Sequence, residues 1–139
     1  MRERLCRTGL VLILLLLLVA CEGGFSSIGS SERSAMTGRG GFVEASMRRA
    51  NGSITKEIEL DGGADRLETQ VSLSVEEGSF AIELLDADEN VTLSLEATPG
   101  NPASGQGVMD VVFDSAQYRV RADEARGVTY RLDFTFASD

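Results

Sequence analysis

The 139-residue chain contains no histidine and no tryptophan, one lysine, two prolines and two cysteines. Without histidine, the usual general base and the commonest metal ligand are both missing. The two cysteines are Cys6 and Cys21. Both fall in or beside an N-terminal leader, so nothing remains beyond it for a disulfide or a thiolate nucleophile. No Gly-x-Ser-x-Gly elbow or Ser-x-x-Lys pair occurs. Lys56 stands on an expected strand near Glu57 and Glu59, a surface setting rather than a catalytic one. Close carboxylates such as Glu76 and Glu77 could serve a glycosidase, but an acidic chain supplies such pairs in solvated turns. The expectation is a non-enzyme with no cofactor.

Positive charge is also scarce. Formal net charge is −9, and residues 1–20 carry +2 of their own, which leaves −11 beyond them. Such a surface repels nucleic acid and anionic headgroups and favours cationic partners. No nucleic-acid partner is expected.

Long apolar runs are absent except for Leu10 to Ala20, which follows Arg2, Arg4 and Arg7. Eleven helical residues reach about 16 Å, well short of a hydrocarbon core of about 30 Å. A basic n-region followed by this run reads as a signal peptide over residues 1–20. It ends in Leu18-Val19-Ala20-Cys21, which resembles the bacterial lipobox. The resemblance implies cleavage before Cys21 and diacylation of its sulfur, with the acyl chains as membrane anchor. The expected product is an exported lipoprotein on the non-cytoplasmic side. Glu22, in place of the aspartate that retains lipoproteins at the inner membrane of enteric-type bacteria, leans toward the outer membrane. In a cell with one membrane the domain faces outward.

Residues 22–40 are rich in glycine and serine and show no apolar period. Together with Cys21 they are expected to form a flexible tether (21–40) spanning about 25 Å.

From residue 41 to 139 the apolar period is two. Leu67, Val71, Leu73 and Val75 alternate with polar residues, as do Val128, Tyr130, Leu132, Phe134 and Phe136. These patterns are half-buried strands. Turn residues divide them at Asn51-Gly52, Asp61-Gly62-Gly63, Glu77-Gly78, Asp86 to Asn90, Pro99 to Gly107, Ser115-Ala116 and Asp123 to Gly127. Eight strands are expected, near 42–49, 53–60, 67–76, 79–85, 91–97, 108–114, 117–122 and 128–136. The fold class is all-β, a single antiparallel sandwich of jelly-roll type, with a small closed barrel as the structural alternative.

The order Gly78 to Leu85, Asp86 to Asn90, Val91 to Leu95, then Tyr118-Arg119-Val120 and Tyr130-Arg131-Leu132 resembles small accessory domains of the prepeptidase C-terminal type. Glu89-Asn90 replaces that family's usual glycine. The resemblance implies a β-sandwich that attaches, assists or binds.

Two weak sites emerge from the residues. Asp86, Asp88 and Asn90 have the spacing that opens many calcium loops, but Val91 and Ala97 stand where such a loop needs glycine and glutamate. A hairpin turn rich in turn-forming side chains explains the same residues. On a hairpin of 117–122 with 128–136, Arg119 would oppose Arg131, and Arg121 would oppose Thr129. Facing arginines call for an anion between them or for carboxylates such as Glu57, Glu59, Glu68 or Glu83 on neighbouring strands. Carbohydrate recognition needs exposed aromatic platforms, and Tyr118, Tyr130, Phe134 and Phe136 all point inward in this pattern. The expected role is envelope or protein–protein interaction, with a carbohydrate- or calcium-binding accessory module as the alternative.

Overall fold

The computed structural model describes residues 24–138. The signal peptide and Cys21 lie outside them. Among the described residues no helix is long and apolar enough to cross a membrane.

Among the described residues all regular structure is antiparallel strand. In chain order the strands are β1 (Ser26–Ile28), β2 (Ser31–Met36), β3 (Gly40–Glu59), β4 (Arg66–Ser74), β5 (Glu77–Leu85), β6 (Val91–Ala97), β7 (Ala103–Asp110) and β8 (Ser115–Ala137). Two of them, β3 and β8, pair with each other over almost their whole length. One half of β8 then carries β4 and β7 on its other edge. The other half carries β5 and β6. The result is a sandwich of two leaves that share two long strands.

The shared strands fold over where their register slips, between Ala50 and Gly52. Asp123 and Glu124 of β8 oppose Asn51 there, and the Asn51 Oδ1 accepts from the Glu124 amide at 3.1 Å. This is a bulge, which bends a strand sharply. Inward residues change phase across it, from Val43, Ala45 and Met47 to Ala50, and then to Ile58 and Leu60. Asn51-Gly52 and Asp123–Gly127 are therefore corners inside continuous strands, not the hairpin turns that their residue types suggested. A break in alternation looks the same in sequence whether the chain reverses or bends.

Between the leaves lies one core. Leu67, Val71 and Leu73 from β4 meet Phe80, Ile82 and Leu84 from β5, with Tyr118, Val120, Tyr130 and Leu132 from β8. The Phe80 and Tyr130 rings stack at 5.7 Å. One side of the sandwich closes where β6 meets β7, and the β7 glycines make this possible. A Cβ on Gly107 would sit 2.7 Å from Leu93 Cβ and 3.1 Å from Leu84 Cδ1. The Thr92 hydroxyl fastens the same seam by donating to the Val108 carbonyl at 2.5 Å. The loop expected over 99–107 is thus strand from Ala103 onward. Its small residues admit the leucines of β6 and so erase the apolar pattern that marks a strand.

The stretch expected to be part of an unstructured tether also folds. Residues 26–36 run antiparallel along β3 from Asn51 to Gly41. Every side chain in β1 and β2 is exposed. Backbone bonds to the β3 edge hold them, and such bonds leave no hydrophobic period to read. The described residues hold eight strands, but two precede residue 41, and the eight expected reduce to six, because 42–49 joins 53–60 in β3 and 117–122 joins 128–136 in β8.

Candidate functional site

The register fixes which loops share an end. At the fold-over end lie Gly24, Asn51-Gly52, the β4–β5 turn and Asp123–Gly127. Gly24 packs against Gly52 there. At the far end, Glu59 pairs with Ser115 and Arg66 pairs with both Asp110 and Ala137. The β5–β6 turn reaches the same place, since the Ala87 amide donates to Asp110 Oδ2 at 3.0 Å.

The far end holds an open groove of ≈ 740 Å³. Its lining includes Glu57, Glu59, Asp86, Asp88, Glu89, Asp110 and Asp114, with no lysine or arginine. Beside these carboxylates stands Phe113, 99% exposed. Phe113 and Asp114 are the central residues of the β7–β8 turn, which is closed by Val112 N to Ser115 O at 2.8 Å and Ser115 N to Val112 O at 3.1 Å. Both have left-handed φ, 52° and 59°. A two-residue hairpin of this handedness normally carries Asn-Gly or Asp-Gly. Here a phenyl ring is held out into water on a backbone that glycine would adopt more cheaply. Val91 and Val112, at 44% and 40% exposed, belong to the same end.

Sequence reasoning missed Phe113 because it looked for platforms among the strand aromatics. The signal was present: a phenylalanine next to Asp114-Ser115, where the expected turn begins.

The expected calcium residues sit in the β5–β6 turn, where Asp86 is consumed by the turn itself. Asp86 Oδ1 accepts the amides of Asp88 at 2.9 Å and Asn90 at 2.8 Å, and Oδ2 accepts the Asn90 side-chain amide at 3.3 Å. These donors, the Asn90 amide foremost, hold the Asp86 carboxyl below its usual pKa. Glu89 takes the left-handed position at φ 63°. Among the described residues no group of three or more Cys, Asp or Glu side chains is placed to hold a metal ion.

The three arginines are not brought together as expected. Because β8 is continuous, Arg119 and Arg131 belong to one strand and do not face each other. Arg119 pairs with Thr55 and Glu83, Arg121 with Ser53 and Ala81, and Arg131 with Glu44 and Ser72. Glu83, largely buried, lies 2.8 Å from Arg121 Nε and 3.7 Å from Arg119. The Arg121 contact is ionic, because no donor N–H is aligned on Glu83 Oε1. Arg131 donates from Nε to both Asp133 oxygens, at 3.0 and 2.9 Å, and lies 2.9 Å from Glu44. Its guanidinium also covers the Phe42 ring at 4.4 Å. Arg119 and Arg121 thus share Glu83, one of the carboxylates anticipated, while Arg131 has Glu44 and Asp133.

At the fold-over end a second groove, of ≈ 770 Å³, is lined by charges of both signs. They include the Arg126–Glu77 pair at 3.5 Å. It has no aromatic ring, and two arginines offset most of its three carboxylates.

No protein-family model matches this chain, and no curated protein matches it. Among solved structures it is similar to one described as Bacillus endospore appendages forming disulfide-linked pili. That match has 12% identity, covers 85% of this chain and 96% of the other, and has a TM-score of 0.43. A CBM4 structure matches at 9% identity over 78% of this chain and 79% of its own, TM-score 0.38. The K2 cleaved adhesin domain of Lys-gingipain matches at 10% identity over 83% and 89%, TM-score 0.39.

Proposed function

We propose that this chain is a non-catalytic binding module of the bacterial envelope, anchored by a diacylated Cys21, that engages a positively charged partner protein with the end bearing Phe113. The observation that carries the reading is that ring: fully in water, on a turn it does not suit, at a groove lined by seven carboxylates and by no lysine or arginine. An exposed aromatic side chain offers a partner apolar area and a cation–π face. The carboxylates steer a basic surface toward it and set a salt-dependent on-rate.

The proposed anchor suits this direction of display. Three positions separate Cys21 from Gly24, at most about 11 Å of extended chain. Gly24 packs at the fold-over end, and the seven steps from Gly52 to Glu59 run about 23 Å away from it. On this reading the Phe113 end faces away from the headgroups on the non-cytoplasmic side. That membrane is the outer membrane where the cell has two.

The test is a photo-crosslinking residue placed at position 113 of the full chain in living cells, with Ser94 on β6 as control. A discrete adduct from position 113, absent from 94 and weakened when Glu59 and Asp114 are changed to lysine, is the expected result. Equal adducts from both positions, or none from 113, would refute the reading. A second reading, a carbohydrate-binding module, draws on the same ring as a stacking face with carboxylates as hydroxyl acceptors. Glycan-array binding that is lost in Phe113→Ala would favour it over a protein partner.

A further inference from the structure

A different part of the molecule carries a second site. Where β3 turns from one leaf to the other, the sandwich has an open side, and residues 25–32, paired along the β3 edge, border it as a strap. Beneath the strap lies a cavity of ≈ 220 Å³ whose apolar walls include Ala45, Met47, Ile54 and Val120, roofed by Phe25. The single lysine of the chain opens onto it. Lys56 lies on the face of β3 that turns inward, between Ile54 and Ile58, and its ammonium group donates to Tyr130 OH at 3.4 Å. The Tyr130 and Tyr118 hydroxyls lie 3.2 Å apart behind it. Both phenols are buried, and burial pushes the Tyr118 pKa up, so that phenol stays neutral and the lysine supplies the charge.

The present partner of Lys56 is Glu32, which ion-pairs with it from the strap. Burial works against the lysine charge, but Glu32 and the Tyr130 oxygen outweigh it and hold the pKa above the usual lysine value. The Glu32 side chain remains 47% exposed, whereas that of Lys56 is 29% exposed. The carboxylate therefore reaches in from the mouth.

We propose that this cavity is a binding site for a short-chain carboxylic acid, its apolar tail among Ala45, Met47 and Val120 and its carboxylate on Lys56 in place of Glu32. The volume has room for about seven water-sized groups, and hexanoate has about eight non-hydrogen atoms, with the head at the mouth. An apolar pocket with a few convergent polar groups is the usual form of a small-molecule site. Ligand and strap compete for one ammonium group, so binding loosens the Glu32 latch.

The experiment follows the methyl signals of Ala45 and Met47 by NMR, with the full chain in zwitterionic nanodiscs, titrated with hexanoate, hexanol and hexylamine. Hexanoate is expected to shift these methyls saturably, with half-saturation about tenfold lower than hexanol, as a hydrogen-bonded charge pair requires. Lys56→Met should remove that preference, and Glu32→Gln should tighten hexanoate binding by removing its competitor. Absence of a saturable shift, equal binding of hexanol, or a Glu32→Gln variant with unchanged or weaker affinity would each overturn the proposal. The Glu32→Gln comparison decides the matter even if Lys56→Met fails to fold.

Discussion

Replacing Phe113-Asp114 by Asn-Gly should make the protein more stable and less useful. The left-handed conformation costs a residue with an ordinary side chain about 1–2 kcal/mol; Phe113 bears this cost at φ 52°, whereas Asp114, at φ 59°, is of a type that enters the region more readily. Asparagine tolerates this region and glycine pays nothing sterically, although glycine loses about 0.5–1 kcal/mol in chain entropy. Phe113 is 99% exposed, so removing its ring sacrifices no burial. The turn bonds between Val112 and Ser115, and that from the Leu60 amide to the Asp114 carbonyl, are all backbone and survive the change. The net gain is about 1 kcal/mol, or a rise in Tm of about 3–5 °C for a domain of this size. Far-UV circular dichroism through heat and urea would read it, with the urea midpoint rising at constant slope. In the same variant, crosslinking from position 112 should be lost. An unchanged or lower Tm would refute the argument that strain is stored at this turn. Undiminished crosslinking would refute the claim that the strain serves binding.

Three further outcomes follow from the geometry. Gly107→Ala should cost about 1–3 kcal/mol in urea unfolding, because its Cβ meets Leu93 Cβ at 2.7 Å and the β6–β7 seam has to part. Stability should fall in acid. Asp86 and Glu44 both have folded pKa values below the usual, Asp86 chiefly through the Asn90 amide and Glu44 chiefly through its hydrogen bond from Arg33. Their contribution is complete above the unfolded carboxylate pKa, about 4, and is lost as pH falls through the lower folded values. Urea midpoints at pH 7 and at pH 3 should show this, with a smaller difference in Asp86→Asn, where the amide oxygen still accepts the turn amides. Millimolar calcium should leave the Tm unchanged, because both Asp86 oxygens are already occupied within the turn. A rise abolished by Asp88→Ala would show that a calcium site forms after all.

How much of this was legible in the sequence depends on what holds each element. Strands held by a buried face announce themselves: Leu67, Val71 and Leu73 on β4, and Val128 to Phe134 on β8, alternate as the core requires. Those held by backbone bonds and exposed polar side chains do not, which is why Ser31–Met36, exposed at every position, read as tether. Strands made of small residues are equally silent, as Ala103 to Gly107 show. The corners misled for another reason. Asn51-Gly52 has the chemistry of a hairpin turn, but β8 lies across both halves of β3, and continuous pairing wins over local preference. That one difference also dissolves the arginine strip, since Arg119 and Arg131 face each other only if the chain reverses between them. The acidic far end was visible only as composition. Glu57, Asp86, Asp110 and Asp114 are scattered along the chain, and it takes the register of four strands to gather them around Phe113.

Strain is distributed unevenly between the two ends. At the fold-over end the left-handed positions are held mainly by glycine, at Gly52, Gly78 and Gly127. Each is crowded: a Cβ there would run into Gly24, into the backbone of Asp123 and Glu124, or into Glu76. Glu124 is the exception, and the Asn51 side chain holds its amide. Such corners are solved for folding. At the far end Gly62 and Gly63 serve one loop, yet Glu89, Phe113 and Asp114 take left-handed φ in the two turns that flank the groove. Nothing in the folded chain rewards a phenyl ring at position 113, because it buries no area. On the proposed reading, a residue that costs stability and returns none among the described residues is accounted for by what it meets outside. The carboxylates around it give that contact its sign, and the backbone of β7 and β8 gives it a fixed place.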